Sequence, residues 1–97
     1  MLDNEKYKKI RKRLENHTEV IVLQTIEELL SKDEFSDVPQ TEDTLVDIAT
    51  YSLNRLPPKY VATQKGEVYT KAEELEQQHS VDILAVVAKA INVVSEN

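Results

Sequence analysis

The chain has 97 residues, a length that makes one domain and lets only about 60–65 per cent of the unfolded surface leave water, so its core is limited. With 40% hydrophobic and 31% charged residues it has a soluble globular composition, too apolar and too periodic for disorder. The lack of cysteine excludes disulfides, thiolate metal sites and a cysteine nucleophile. No run nears the roughly 18 apolar residues of a membrane span and no apolar segment follows the first lysines, so neither anchor nor signal peptide is expected and the protein is expected to be cytoplasmic.

The net charge of −6 is unevenly spread. Residues 1–13 carry Lys6, Lys8, Lys9, Arg11, Lys12 and Arg13 against Asp3 and Glu5, a net of +4. Residues 55–71 carry Arg55, Lys59, Lys65 and Lys71 against Glu67, a net of +3, while residues 27–47 hold eight acids against Lys32 alone. An anionic partner therefore has two landing zones, the basic amino-terminal arm and the segment around Arg55. The acidic remainder disfavours long duplex nucleic acid; a small anion at short range does not feel that field.

In chain order, residues 4–31 are predicted as one long helix. Ile10, Leu14, Val20, Ile21, Leu23, Ile26, Leu29 and Leu30 supply an apolar stripe that widens after residue 20, with no glycine or proline to interrupt it. The basic residues of the arm point around most of the helix circumference, so not all can reach one ligand; they read as a phosphate-binding surface or as a solvated helix end. His17, with no partner residue evident nearby, reads as a surface histidine. Ser31 to Gln40 is a polar connection. Thr41 is expected to cap a second helix over 41–54, with Glu42 and Asp43 complementing its dipole. Asn54 is suited to ending it, because asparagine tolerates left-handed geometry; the alternative use of its amide is to face a ligand.

Along that second helix Leu45, Ile48, Ala49, Ser52 and Leu53 recur at helical spacing. Pro57 and Pro58 forbid continuation and push Leu56 out of helical geometry, which sets Arg55, Lys59 and Tyr60 on a stiffened bend. Residues 55–69 are irregular, with Val61-Ala-Thr and Glu67-Val-Tyr69 flanking Gln64-Lys65-Gly66 in a small hairpin or a loose turn. One glycine does not make a phosphate-cradling loop.

Thr70 and Glu73 form a capping box for a third helix that reaches about Val94. Leu75, Ile83, Val86, Val87, Ala90, Ile91 and Val94 are its core face. Val81, Leu84, Ala85, Ala88 and Val93 add apolar surface on other sides, more than one partner layer covers, which predicts a homodimer. His79 and Asp82 lack a third metal ligand in sight and read as a surface pair. The expectation is a single all-α domain over residues 1–97, three main helices with an irregular Pro-Pro bend and a basic arm at 1–13.

No enzyme is expected, since the two histidines have no obvious acid or base partner and the carboxylates fall on exposed helix faces; no cofactor is implied. The bend is different. Arg55 offers a planar fork for phosphate or for the O6 and N7 edge of guanine, Lys59 a point charge, and Tyr51, Tyr60 and Tyr69 flat faces for stacking. The competing reading is packing, with Tyr60 and the prolines filling the helix junction while Arg55 pairs with an acid such as Asp47.

The run Tyr51-Ser-Leu-Asn-Arg-Leu-Pro-Pro-Lys-Tyr-Val61, followed by Gly66 and Tyr69-Thr-Lys-Ala-Glu73, resembles the late competence development protein ComFB family. The resemblance covers residues 44–95, and its specific part is Leu53-Asn-Arg-Leu-Pro-Pro-Lys-Tyr60. Members of that family, notably cyanobacterial ones, act as receptors for cyclic dinucleotide second messengers, chiefly cyclic di-GMP and also cyclic di-AMP. The resemblance therefore implies Asn54, Arg55, Pro57, Pro58, Lys59 and Tyr60 as ligand residues. Arg55 would bind guanine or phosphate, Lys59 phosphate and Tyr60 a base face, with the prolines holding the shape and lowering the ordering cost. Tyr51, Arg11 and Arg13 complete the expected ligand set. A two-fold-symmetric messenger also suits a dimer. Some family members carry zinc-holding cysteines, which this chain lacks.

Three readings follow. The first is a cyclic dinucleotide receptor that regulates competence, motility or related processes through a downstream protein partner. The second is a dimeric helical interaction module without nucleotide binding. Single-stranded nucleic-acid binding through the arm is the third, disfavoured by the net charge.

Overall fold

A computed structural model describes residues 3–64, 67–68 and 71–96, with the backbone alone for 64, 67–68 and 71–81. Among these residues the chain runs α1 (Asn4–Arg13), β1 (Leu14–Asn16), α2 (His17–Leu30), a 3-10 turn (Asp33–Phe35), α3 (Glu42–Leu53), β2 (Tyr60–Gln64), β3 (Glu67–Val68) and α4 (Lys71–Glu96). The fold is mainly helical, but it is not all-α. Strand β2 is the middle of three, antiparallel to β1 through Leu14–Ala62, Glu15–Val61 and Asn16–Tyr60 and to β3 through Thr63–Val68 and Gln64–Glu67. The second pairing makes 60–68 a hairpin rather than a loose turn; its tip, Lys65-Gly66, and the predicted cap Thr70 lie outside the described residues.

The single helix expected over residues 4–31 is two helices with a strand between them. Leu14 is extended, at φ −100° and ψ 128°; its N–H still donates to the Arg11 carbonyl, while residues 14–16 pair with β2 and leave the helix. Asn16 then restarts the helix as an N-cap, its side-chain oxygen accepting the Thr18 N–H at 3.2 Å. The break also splits the expected apolar stripe. Of its residues Ile10, Leu14 and Leu23 are exposed, Val20 is half-buried, and Ile21, Ile26, Leu29 and Leu30 are buried; His17, expected at the surface, is buried as well.

Helices α2, α3 and α4 pack on one another around a core completed by Ile48 of α3 and by Ile83, Val87, Ala90 and Ile91 of α4. Phe35 and Val38, in the connection, pack against its edge. Helix α4 thus meets two helical partners. Val86, Ala88, Val93 and Val94 are half-buried, and Leu84 and Ala85 are exposed. Thr41 caps α3 as predicted, its hydroxyl accepting the Thr44 N–H at 3.2 Å.

Helix α1 stands apart, with no buried residue. Its carboxyl end is tied to β2, where Arg13 Nε donates to the Thr63 carbonyl at 3.3 Å and Thr63 Oγ1 donates to the Lys12 carbonyl at 3.4 Å. The molecule is elongated: the radius of gyration is 15.4 Å, against about 12–13 Å for a compact chain of this length. Among the described residues no helix is long and apolar enough to cross a membrane.

Candidate functional site

The carboxyl end of α3 positions the first site residues. Asn54 ends the helix in right-handed geometry, φ −72° and ψ −12°, not the left-handed geometry expected for it. The Asn54 N–H still reaches the Thr50 carbonyl at 3.1 Å, and the Arg55 N–H reaches Ser52 at the same distance, so the last turn tightens without a left-handed residue. Arg55 folds back over its own helix. Its Cζ lies 3.4 Å from the centre of the Tyr51 ring, and Nη1 donates to the Tyr51 carbonyl at 3.0 Å. The guanidinium is therefore held by a ring and a carbonyl rather than by Asp47, and it remains exposed.

Three hydrogen bonds hold the segment after Leu56. Thr18 Oγ1 donates to the Pro57 carbonyl at 2.9 Å, Asn16 Oδ1 accepts the Lys59 N–H at 3.1 Å, and the His17 N–H donates to the Lys59 carbonyl at 2.6 Å. Both backbone polar groups of Lys59 are thus bound by the start of α2. That fixes where its side chain sets out.

Between this segment and α4 lies a cleft of about 430 Å³. Arg55, Leu56, Pro57 and Lys59 form one wall with Thr18, and Asp82, Ile83, Ala85 and Val86 of α4 form the other. Two cations, an apolar surface and a single carboxylate therefore face one space.

The remaining predicted ligand residues go elsewhere. Tyr60, 66% exposed, lines a second cleft with Arg11, Leu14, Asn16 and Glu19. Neighbours along an extended chain point to opposite faces, which is why Lys59 and Tyr60 part company. Arg11 lies over Tyr7, 5.8 Å from its ring centre, and Arg13 lines a small groove with Ile10, Leu14 and Ala62. Asn54 and Pro58 are exposed, and Tyr51 takes part as the ring under Arg55. Tyr69 and the side chains of Lys71 and His79 lie outside the described residues.

Sequence reasoning did not place Thr18, Asp82, Ile83, Ala85 or Val86 beside Arg55. Nothing local marks them, since each lies on a helix more than twenty residues from Arg55 in the chain. Asn16 did carry a signal. Asn16-His17-Thr18-Glu19 has a capping residue three positions before a glutamate, the pattern of a helix start.

The fold has a counterpart among solved structures. The structure resembles the one described as "Structural characterization of the late competence protein ComFB from Bacillus subtilis", with a TM-score of 0.67, 28% identity and coverage of 87% of this chain and 90% of that one. A curated relative, Competence protein ComFB of Bacillus subtilis (strain 168), is 39% identical over 51 residues, which are 53% of this chain and 52% of the relative. The aligned region thus spans about half the length of that relative. The family model of late competence development protein ComFB matches residues 15–97, from β1 through α4; the chain belongs to the late competence development protein ComFB family.

Proposed function

We propose that this chain is a cyclic dinucleotide receptor, for cyclic di-GMP first and cyclic di-AMP second, that relays binding to a protein partner. The observation that carries the reading is the cleft of about 430 Å³ in which Arg55 and Lys59 meet an apolar wall. That volume falls within the roughly 300–1,000 Å³ of small-molecule sites. Arg55 is already oriented by Tyr51, so the rest of its fork meets a phosphate with little further ordering. Lys59 adds a point charge, and Leu56, Pro57, Ile83 and Val86 offer surface to a base.

Asp82 bears on the choice of base. An ionised carboxylate only accepts hydrogen bonds. Guanine presents two adjacent donors, N1–H and the N2 amino group, on one edge, whereas the same edge of adenine sets a donor beside an acceptor. The carboxylate therefore favours guanine. The cleft suits one nucleotide-sized half of the ligand, and the identical second half suits an equivalent cleft on a second protomer. The name of the Bacillus relative, Competence protein ComFB, makes competence a process in which such a receptor would act.

Calorimetry on the full chain with cyclic di-GMP, cyclic di-AMP and GMP tests this reading. Binding of cyclic di-GMP in the micromolar range or tighter is expected, with cyclic di-AMP weaker by roughly tenfold, the size of one good bidentate base contact. No heat from either cyclic dinucleotide at about 100 micromolar protein, a concentration at which micromolar binding saturates, removes the reading.

A further inference from the structure

Helix α1 carries Lys6, Lys8, Lys9, Arg11, Lys12 and Arg13 against Glu5, a net of +5, while the rest of the chain holds six cations against seventeen acids, a net of −11. Tyr7 and Ile10 lie three apart on one side of α1, and Leu14 follows four residues on, at the start of β1. All three are exposed, Tyr7 by 50%, Ile10 by 40% and Leu14 by 51%. Ile10 and Leu14 line one small groove with Arg13 and Ala62. A helix of ten residues with no packed face is marginal in water, since most helical stability in proteins comes from packing. Asp3 caps its start, and only its end rests on β1 and β2.

We propose that α1 docks on an anionic phospholipid surface, with Tyr7, Ile10 and Leu14 entering the headgroup boundary and the cations meeting lipid phosphates. A helix of this length, about 15 Å, covers half of the roughly 30 Å hydrocarbon layer, so it lies along the surface and does not cross it. Lysine and arginine carry their charge on long apolar stems, so cations on either side of the stripe reach phosphates while their stems cover acyl chains. Tyr7 brings the apolar body and polar tip that suit the boundary. Charge and apolar surface together select the occupant. A nucleic-acid backbone takes the charge alone and leaves Ile10 and Leu14 in water. The acidic remainder of the chain is repelled by the same lipid surface, which makes α1 the end that docks. The family model begins at residue 15, so α1 lies outside the matched segment. None of its residues lines the cleft proposed for the nucleotide, and the two proposals stand or fall separately.

Co-sedimentation of the full chain with vesicles tests this. Vesicles of phosphatidylglycerol and phosphatidylcholine in equal parts are expected to carry the protein down at about 0.1 M salt and to release most of it at about 1 M, where the Debye length falls to about 3 Å. Vesicles of phosphatidylcholine alone are expected to leave it in solution. Equal binding to both compositions, or binding to neither, overturns the proposal. Lys6→Gln combined with Lys8→Gln is expected to weaken binding about 25-fold, roughly fivefold for each cation. Ile10→Asn keeps every charge and is expected to weaken it by about tenfold or more, the worth of burying one large aliphatic side chain. Both sites are exposed, so these variants are expected to melt like the natural chain, and unchanged vesicle binding in either one overturns the proposal. A single-stranded oligonucleotide is the competing probe. If it binds the natural chain more tightly than the anionic vesicles do, α1 is a nucleic-acid surface and the lipid assignment is wrong.

Discussion

The side-chain oxygen of Asn16 accepts the backbone N–H of Lys59 at 3.1 Å, joining residues 43 positions apart. The same oxygen accepts the Thr18 N–H at 3.2 Å. One atom therefore starts α2 and anchors the segment, just before β2, that carries a cleft cation. The break in the predicted first helix and the position of Lys59 have a common cause.

Replacing Asn16 by alanine leaves two backbone donors without their acceptor. The expected loss is about 1–3 kcal/mol of stability by urea denaturation, the sum of a lost cap and a lost part-buried hydrogen bond. Asn16→Asp keeps the acceptor and is expected to stay within about 1 kcal/mol of the natural chain. If alanine and aspartate cost the same, the oxygen is not the reason for the effect.

Thr18 offers a second test of the same anchor. Its hydroxyl is buried and donates to the Pro57 carbonyl at 2.9 Å. Thr18→Val keeps the shape and deletes the donor. A loss of about 1 kcal/mol is expected in denaturant melts, together with weaker cyclic di-GMP binding, because Pro57 lines the cleft. Retained affinity would separate the anchor from the site.

Arg55 and Tyr60 should respond differently to substitution. Arg55→Lys keeps the charge but loses the planar fork and the stack on Tyr51. Its cyclic di-GMP affinity is expected to drop by about tenfold or more, the worth of a good bidentate contact. Stability should change by no more than about 0.5 kcal/mol, since the residue is exposed. Tyr60→Ala alters the other cleft and is expected to leave that affinity unchanged. A large loss from Tyr60→Ala in calorimetry would mean that the ligand spans both faces of the strand.

The core prediction rests on burial alone. Ile48 and Ile91 are fully buried, whereas Leu84 on α4 is exposed. Ile48→Ala and Ile91→Ala are each expected to cost about 2–5 kcal/mol, transfer and cavity terms together. Leu84→Ala should cost under about 1 kcal/mol, since little of its surface leaves water on folding. Thermal melts of the three variants check the order, and a Leu84→Ala loss as large as the Ile91→Ala loss would point to a covered α4 face.

Much of the helical framework was legible in the residues. The Thr41 cap, the end of α3 near Asn54 and the core positions Ile83, Val87, Ala90 and Ile91 all follow from patterns within a turn or two of the chain. The candidate site was legible only in part. Arg55, Pro57 and Lys59 are brought to one cleft, but Tyr60 and Arg11 face another, and Asn54 turned out to need no left-handed backbone.

By itself the sequence determined where helices α2, α3 and α4 find their apolar faces, where the prolines stop a helix, and where positive charge collects. Spacing, capping and charge are properties of short segments, so no fold is needed to read them. Only the tertiary structure decided that residues 14–16 leave the helix to pair with β2, that Lys59 and Tyr60 turn to opposite sides, and that Thr18 and Asp82 meet Arg55. Those outcomes depend on which distant segments come together, as Asn16 does with Lys59 and Thr18 with Pro57, and no local propensity encodes a partner some forty residues away.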